Sequence, residues 1–158
     1  MDDLLMILAT LLFTAGGFLG NGNPQATRVT RIIDGDTIVI EGNQHVRYIG
    51  VDTPEIAHTK KDVSECYGNE ATAYNKKLVQ NKELIVSKDA SWKDRYGRLL
   101  RYVYVTQNNK KVLVNEELIR QGYGTVLLIA PDIHKAPQLI FAQLDAMAHQ
   151  RGMWSSCP

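Results

Sequence analysis

The sequence predicts an α+β domain of five or so strands and three helices. Two observations point there. Short runs rich in β-branched and aromatic residues, punctuated by turn residues, fall before residue 50 and again between 84 and 114. Helix-like spacing of apolar residues fills 68–81, 116–121 and 138–151. Strands interrupted by one helix and followed by two more suit a small barrel. A chain of 158 residues supports one such domain with a proper core, and its 44% hydrophobic and 22% charged content is ordinary for a globular protein.

The first 26 residues stand apart. Leu4 to Leu19 are apolar except for Thr10, Thr14 and two glycines, which suits a secretory signal or, if uncleaved, a membrane anchor. Asp2-Asp3 stands where such signals carry basic residues, and Asn21 to Gln25 reads as a linker. The domain is therefore placed at 27–158, and the protein is expected outside the cytoplasm, secreted or membrane-anchored.

Thr27 to Ile33 alternates as a strand, and Ile38 to Ile40 and His45 to Ile49 continue a meander through a Gly42-Asn43 hairpin turn. Residues 56–67 have no period and form an exposed loop containing Lys60 and Lys61. Gly68 to Asn81 is a helix, with Asn69 as its cap and Ala71, Tyr74, Leu78 and Val79 as its apolar side. Leu84 to Val86 and Leu99 to Val105 are strands, and Gln107-Asn108-Asn109 turns the second into Val112 to Val114. Asn115 caps a short helix, Glu116 to Gln121, that Gly122 stops. After a loop from Ala130 to Pro137, Gln138 to Arg151 is an amphipathic helix with Ile140, Phe141, Leu144 and Met147 inward, ended by Gly152.

The charge balance does not announce a nucleic-acid binder: 18 Lys+Arg meet 17 Asp+Glu. Without residues 1–26 the acids fall by Asp2 and Asp3 to 15, for a net +3, so any pull on a polyanion must come from local placement. Cys66 and Cys157 are the only cysteines, and in an exported protein an even count suggests a disulfide.

Chemistry concentrates between Arg31 and Glu55, RIIDGDTIVIEGNQHVRYIGVDTPE. An antiparallel pair brings the start of one strand level with the end of the next, so Asp36 and Asp52 converge, with Glu55 close behind. Such carboxylates must share protons or share a cation. Taken singly, Asp34-Gly35-Asp36 is only a turn, and Asp52 to Glu55 only a loop. Together with Arg47 they supply what a divalent metal and a phosphate need. The pieces DGDT and RYIGVDTPE, followed by DRYGR at Asp94 to Arg98, resemble the active site of the staphylococcal nuclease (thermonuclease) family, and the likeness runs from Thr27 to Trp154.

That resemblance implies a five-stranded OB-type β-barrel with three helices, and a Ca²⁺-dependent nuclease acting on DNA and RNA with products ending in 3′-phosphate. Hard oxygen ligands without His or Cys select Ca²⁺ or Mg²⁺ over zinc, and the family implies Ca²⁺. Asp36, Asp52 and the Thr53 carbonyl are the expected metal ligands, with Asp34 behind them. Arg47 and Arg98 form the phosphate clamp, since a guanidinium fork matches two phosphoryl oxygens; alone, Arg98 would read as a salt bridge to Asp94. Glu55 orients or deprotonates the attacking water. Lys60, Lys61 and Tyr96 are candidate substrate contacts. One departure stands out. Thr125 to Ala130 reads TVLLIA, where the family has tyrosines that pack on a base, which implies altered base preference around Leu128 and Ala130.

Two other classes compete. A non-catalytic OB-fold nucleic-acid-binding module has no use for clustered carboxylates, which repel phosphate unless a cation intervenes. A Ca²⁺-stabilised extracellular adaptor explains the acids but not the paired arginines. The expectation is thus a monomeric metal-dependent phosphodiesterase.

Overall fold

The computed structural model describes residues 24–57, 59 and 62–158. The apolar segment from Leu4 to Leu19 and the lysine pair Lys60-Lys61 lie outside them. Among the described residues no helix is long and apolar enough to cross a membrane.

Five strands close a barrel. β1 (Gln25–Ile32) pairs antiparallel with β2 (Thr37–Ile40), and β2 with β3 (Gln44–Tyr48). β1 also pairs with β5 (Glu83–Ser87), which pairs with β6 (Leu99–Gln107). A parallel pairing of β3 with β6, Val46 opposite Leu99 and Tyr48 opposite Arg101, shuts the ring. Gly42 and Asn43 make the β2–β3 turn at positive φ, 75° and 55°, as the hairpin signal predicts. β7 (Lys110–Leu113) extends β6 outside the barrel. The two-residue strands β4 (Val51–Asp52) and β8 (Thr125–Val126) form a separate ribbon that the sequence did not announce.

Alternating residues of these strands fill the interior: Ile38, Ile40, Val46, Tyr48, Leu84, Val86, Val103 and Val105 are all buried. Three helices cover the barrel. α1 (Gly68–Val79) contributes Ala71, Leu78 and Val79; α2 (Val114–Arg120) contributes Val114, Leu118 and Ile119; α3 (Ala136–Ala148) contributes Leu139, Ala142 and Ala146. A final turn, α4 (Met153–Ser156), leads to Cys157, which is disulfide-bonded to Cys66 across 91 residues.

Several expectations need correction. Asn69 does not cap α1; Tyr67 precedes the helix with φ 73°, and Asn69 lies within its first turn. Asn115 does not cap α2 either. It is fully buried, and its side chain bonds three strand and turn backbone groups instead. The loop assigned to Ala130–Pro137 ends earlier, because Pro137 sits in the first turn of α3, where its missing N–H costs nothing.

The largest correction is the face of α3. Ile140, Phe141, Leu144 and Met147 were expected inward, but Phe141 is 69% and Leu144 54% exposed. The buried stripe is Leu139, Ala142 and Ala146. Gly50, at φ 76°, has no Cβ, and Leu139 fills the space one would occupy. α3 packs on α2 with the small Ala142 and Ala146 buried and lays Leu139 over Gly50, so close packing outweighed side-chain bulk.

Candidate active site

β2, β3 and the β4–β8 ribbon bring the acidic residues and one arginine to one end of the barrel. Asp36 immediately precedes β2, and its carboxylate is 5% exposed by residue. Its Oδ1 accepts from the Thr37 hydroxyl at 3.0 Å, and its Oδ2 accepts from the Thr53 backbone N–H at 2.9 Å and the Thr53 hydroxyl at 3.2 Å. Gly35 allows this approach, because a Cβ there would lie 2.5 Å from Thr53 Oγ1. Asp34 is also buried and accepts the Asp36 N–H at 3.0 Å.

Arg47 joins the two acidic pieces. Its guanidinium meets Asp36 Oδ2 at 2.9 Å and Asp52 Oδ1 at 2.8 Å, and donates to the Val51 carbonyl at 2.6 Å. Burial pushes the Asp36 carboxyl up to about 7; Arg47 opposes this, the Asp34 charge adds to it, and the Thr53 and Thr37 hydrogen bonds offset part.

Arg98 comes from a different loop. The Asp94–Arg98 turn is closed by Asp94, whose Oδ1 accepts the N–H groups of Tyr96 and Arg98 and whose Oδ2 accepts Arg98 Nε at 2.7 Å. Gly97, at φ 84°, lets the chain turn back. Tyr96 is 68% exposed, with Arg95 and Arg98 over its ring. The salt bridge that competed with function in the sequence is therefore present, through Arg98 Nε.

Arg47 and Arg98 line one cleft of about 560 Å³. Lys93, Arg95 and Tyr96 line it too, as do Leu127, Ile129 and Ala130. Ala130 thus faces the cleft at one of the positions where the sequence lacks a tyrosine, whereas Leu128 is not among the lining residues. Glu55 is exposed just beyond β4. Its backbone is pinned by Glu65, which donates its N–H to the Glu55 carbonyl and accepts the Glu55 N–H through its carboxylate. Gly68 opens α1 directly against that carbonyl.

The donor set fits a hard divalent ion in its chemistry: two carboxylates and a backbone carbonyl, all oxygen. Among the described residues no three His, Cys, Asp or Glu side chains are already gathered around a point. Asp36 and Asp52 are turned to Arg47 instead.

Sequence reasoning missed Asn75. Fully buried on α1, it donates to the Asp34 carbonyl at 3.0 Å and accepts from the Tyr48 hydroxyl at 2.9 Å. It locks the helix to the acidic turn. A signal was there: Asn75 lies on the apolar side of the predicted helix, four residues from Ala71 and from Val79, where an amide needs partners.

Residues 45–156 match the family model described as staphylococcal nuclease homologue. A thermonuclease of Staphylococcus hyicus is 35% identical over 141 residues, covering 87% of this chain and 80% of the relative. A thermonuclease of Staphylococcus intermedius is 33% identical over 129 residues, with coverage of 80% and 74%. Endonuclease YncB of Bacillus subtilis is 37% identical over 132 residues, spanning 79% of this chain and 59% of that protein.

Proposed function

The chain belongs to the family of staphylococcal nuclease homologues, and on that premise we propose that it is a metal-dependent nuclease hydrolysing phosphodiester bonds of DNA and RNA. The observation that carries this reading is one cleft holding two guanidiniums, Arg47 and Arg98, with the Asp36–Asp52 carboxylate pair bonded to the first of them. A phosphodiester repels nucleophiles until its charge is met, and paired arginines meet it bidentately.

Asp36, Asp52 and the Thr53 carbonyl would hold Ca²⁺, the ion the family resemblance implies, with Asp34 behind them bonding the Asp36 backbone. When bound, the ion supplies positive charge to the phosphoryl oxygens and to water. Arg98 presents its terminal nitrogens to the phosphoryl group while Nε stays on Asp94. Arg47 is shared, so the phosphate competes with both carboxylates for its fork. Glu55 orients the attacking water and accepts its proton. The water oxygen bonds phosphorus, the bond to the 5′-oxygen breaks, and that oxygen takes a proton from solvent, leaving a 3′-phosphate. Leu127, Ile129 and Ala130 give the base an aliphatic wall.

The apolar run Leu4 to Leu19 and the Cys66–Cys157 disulfide support an extracytoplasmic location. Plasmid nicking with Ca²⁺ and with EDTA tests the activity. Cleavage that EDTA abolishes and Ca²⁺ restores is the expected result; undiminished cleavage in EDTA, or none with Ca²⁺, overturns the reading.

A further inference from the structure

Among the described residues, one face of α3 has no covering element. Ile140, Phe141, Leu144 and Met147 are exposed along the side opposite Leu139, Ala142 and Ala146, and Ile133, just before the helix, adds a further exposed apolar residue. Exposed apolar side chains gathered on one helix face mark an interaction site, whereas single ones scattered over a surface do not. Asp145 is the one charged residue of α3, and Arg120 and Arg151 already neutralise it. The stripe therefore offers no ion to a polar partner.

The chain enters the domain on the side where α3 begins. Pro24 lines a groove with Lys88 and Trp92. The segment between those two is bonded in turn to the residues that lead into α3: Asp132 accepts the Ser91 N–H at 2.7 Å, and Asp89 accepts the His134 N–H at 2.9 Å. Upstream of Pro24 lies the apolar run Leu4 to Leu19, with only residues 20–23 between them. Those few chain steps reach at most about 18 Å, so wherever Leu19 is held, Pro24 is held close by. Trp92 is 59% exposed in that groove, with the Arg101 guanidinium 4.5 Å from its ring centroid. Lys88, and Lys135 at the start of α3, bring positive charge to the same side.

We propose that the exposed face of α3 lies on a lipid bilayer, the one that Leu4–Leu19 enters, with Phe141 and Leu144 at the acyl boundary and Trp92, Lys88 and Lys135 among the headgroups. An indole suits that level, and lysines meet anionic lipid there. The other occupants fit less well. A second copy of the chain needs about 800 Å² per partner for a standard interface. A helix of 13 residues is about 20 Å long and about 10 Å across, a footprint on the order of 200 Å². Leu4–Leu19 carries no charge; laid on α3 it would cover one side of itself and leave the rest in water, whereas a bilayer covers both apolar surfaces.

The test uses the full chain floated with vesicles of phosphatidylcholine and phosphatidylglycerol, the phosphatidylcholine either plain or brominated in its acyl chains. Phe141→Trp puts an indole on the α3 face. Gln44→Trp puts one on an exposed residue at the start of β3, the end away from Gly50 and the Leu139 side chain that covers it. The unaltered chain, whose tryptophans are Trp92 and Trp154, supplies the background emission. Brominated lipid should quench the indole added at position 141 roughly twofold or more, since an apolar helix face sinks about 5–10 Å into the boundary, and should spare the one at position 44. Adding Leu144→Glu to Phe141→Trp should remove most of that quenching. Failure of the full chain to float, equal quenching at the two positions, or quenching at position 141 that Leu144→Glu leaves intact overturns the surface. So does an indole at position 141 that bromine never reaches, the result expected if a second copy or Leu4–Leu19 covers α3.

Discussion

The side-chain amide of Asn115 donates to the Ile49 carbonyl at 2.9 Å, tying α2 to the turn after β3 across 66 residues. The same side chain accepts the Val103 N–H at 2.9 Å. Asn115→Ala strands both groups in the core, while the Arg101 carbonyl keeps its bond from the Ile49 N–H. Each buried unsatisfied group costs about 1–3 kcal/mol, so a loss of about 2–6 kcal/mol is expected in urea denaturation. A loss below about 1 kcal/mol would mean that water replaces the amide.

Asp94 sets a pH dependence. Partial burial pushes its carboxyl up, but the Arg98 side chain and the N–H groups of Arg98 and Tyr96 outweigh that and hold it below the usual carboxylate range. With a folded value below the unfolded one of about 3.9, the group contributes stability above pH 4 and loses it as pH falls through the folded value. Urea midpoints of the unaltered chain and of Asp94→Asn should therefore differ at pH 6 and converge as pH falls below the ordinary carboxylate range. A gap that does not change with pH would show that Asp94 contributes shape and not charge.

The strands were legible because β-branched and aromatic runs between turn residues mark them, but pattern alone reports only an α+β domain; the closed barrel came from the resemblance to the nuclease family. The DGDT, RYIGVDTPE and DRYGR pieces were legible for a different reason, since chemistry needs those side chains at those spacings. What stayed hidden depends on tertiary contact. Asn115 looks like a cap because asparagine before a helical run usually is one; only the barrel wall reveals its partners. The α3 stripes compete on one helix, bulky Ile140, Phe141 and Leu144 against small Ala142 and Ala146, and only the distance to α2 and Gly50 decides. The Arg101–Trp92 contact joins positions nine apart on either side of a turn, a spacing that no periodicity marks.

The Cys66–Cys157 disulfide ties the C-terminal turn to the loop entering α1. Closing 91 residues restricts the unfolded chain by roughly 4–5 kcal/mol in the loop-entropy model. Thiol reduction should lower the urea midpoint by a comparable free energy and expose Trp154, which lies in α4 three residues before Cys157. The check is denaturation with and without dithiothreitol, beside a Cys66→Ser, Cys157→Ser chain. If the double variant matches the oxidised protein in stability, the bond fastens only a frayed tail.

The two arginines make the sharpest forecast, because their surroundings differ. Arg98 is a partly exposed side chain on an i,i+4 partner, Asp94. Such a pair is worth about 0–1 kcal/mol, so Arg98→Lys should hardly move the melting curve. Arg47 is bonded to buried Asp36, to Asp52 and to the Val51 carbonyl at once. A lysine keeps the charge but cannot span all three, and a loss of about 1–3 kcal/mol in stability is expected. On turnover the two should agree. If each guanidinium grips the phosphoryl group as charge builds, either substitution costs about 3–4 kcal/mol in the barrier, or 10²–10³ in rate. Single-turnover cleavage at saturating Ca²⁺ and substrate, beside a melt, reads both quantities. A slow, stable Arg98→Lys and a slow, softened Arg47→Lys are the signature of a clamp. Near-normal rates in both would reduce Arg98 to a turn-closing salt bridge and Arg47 to a counterion for Asp36.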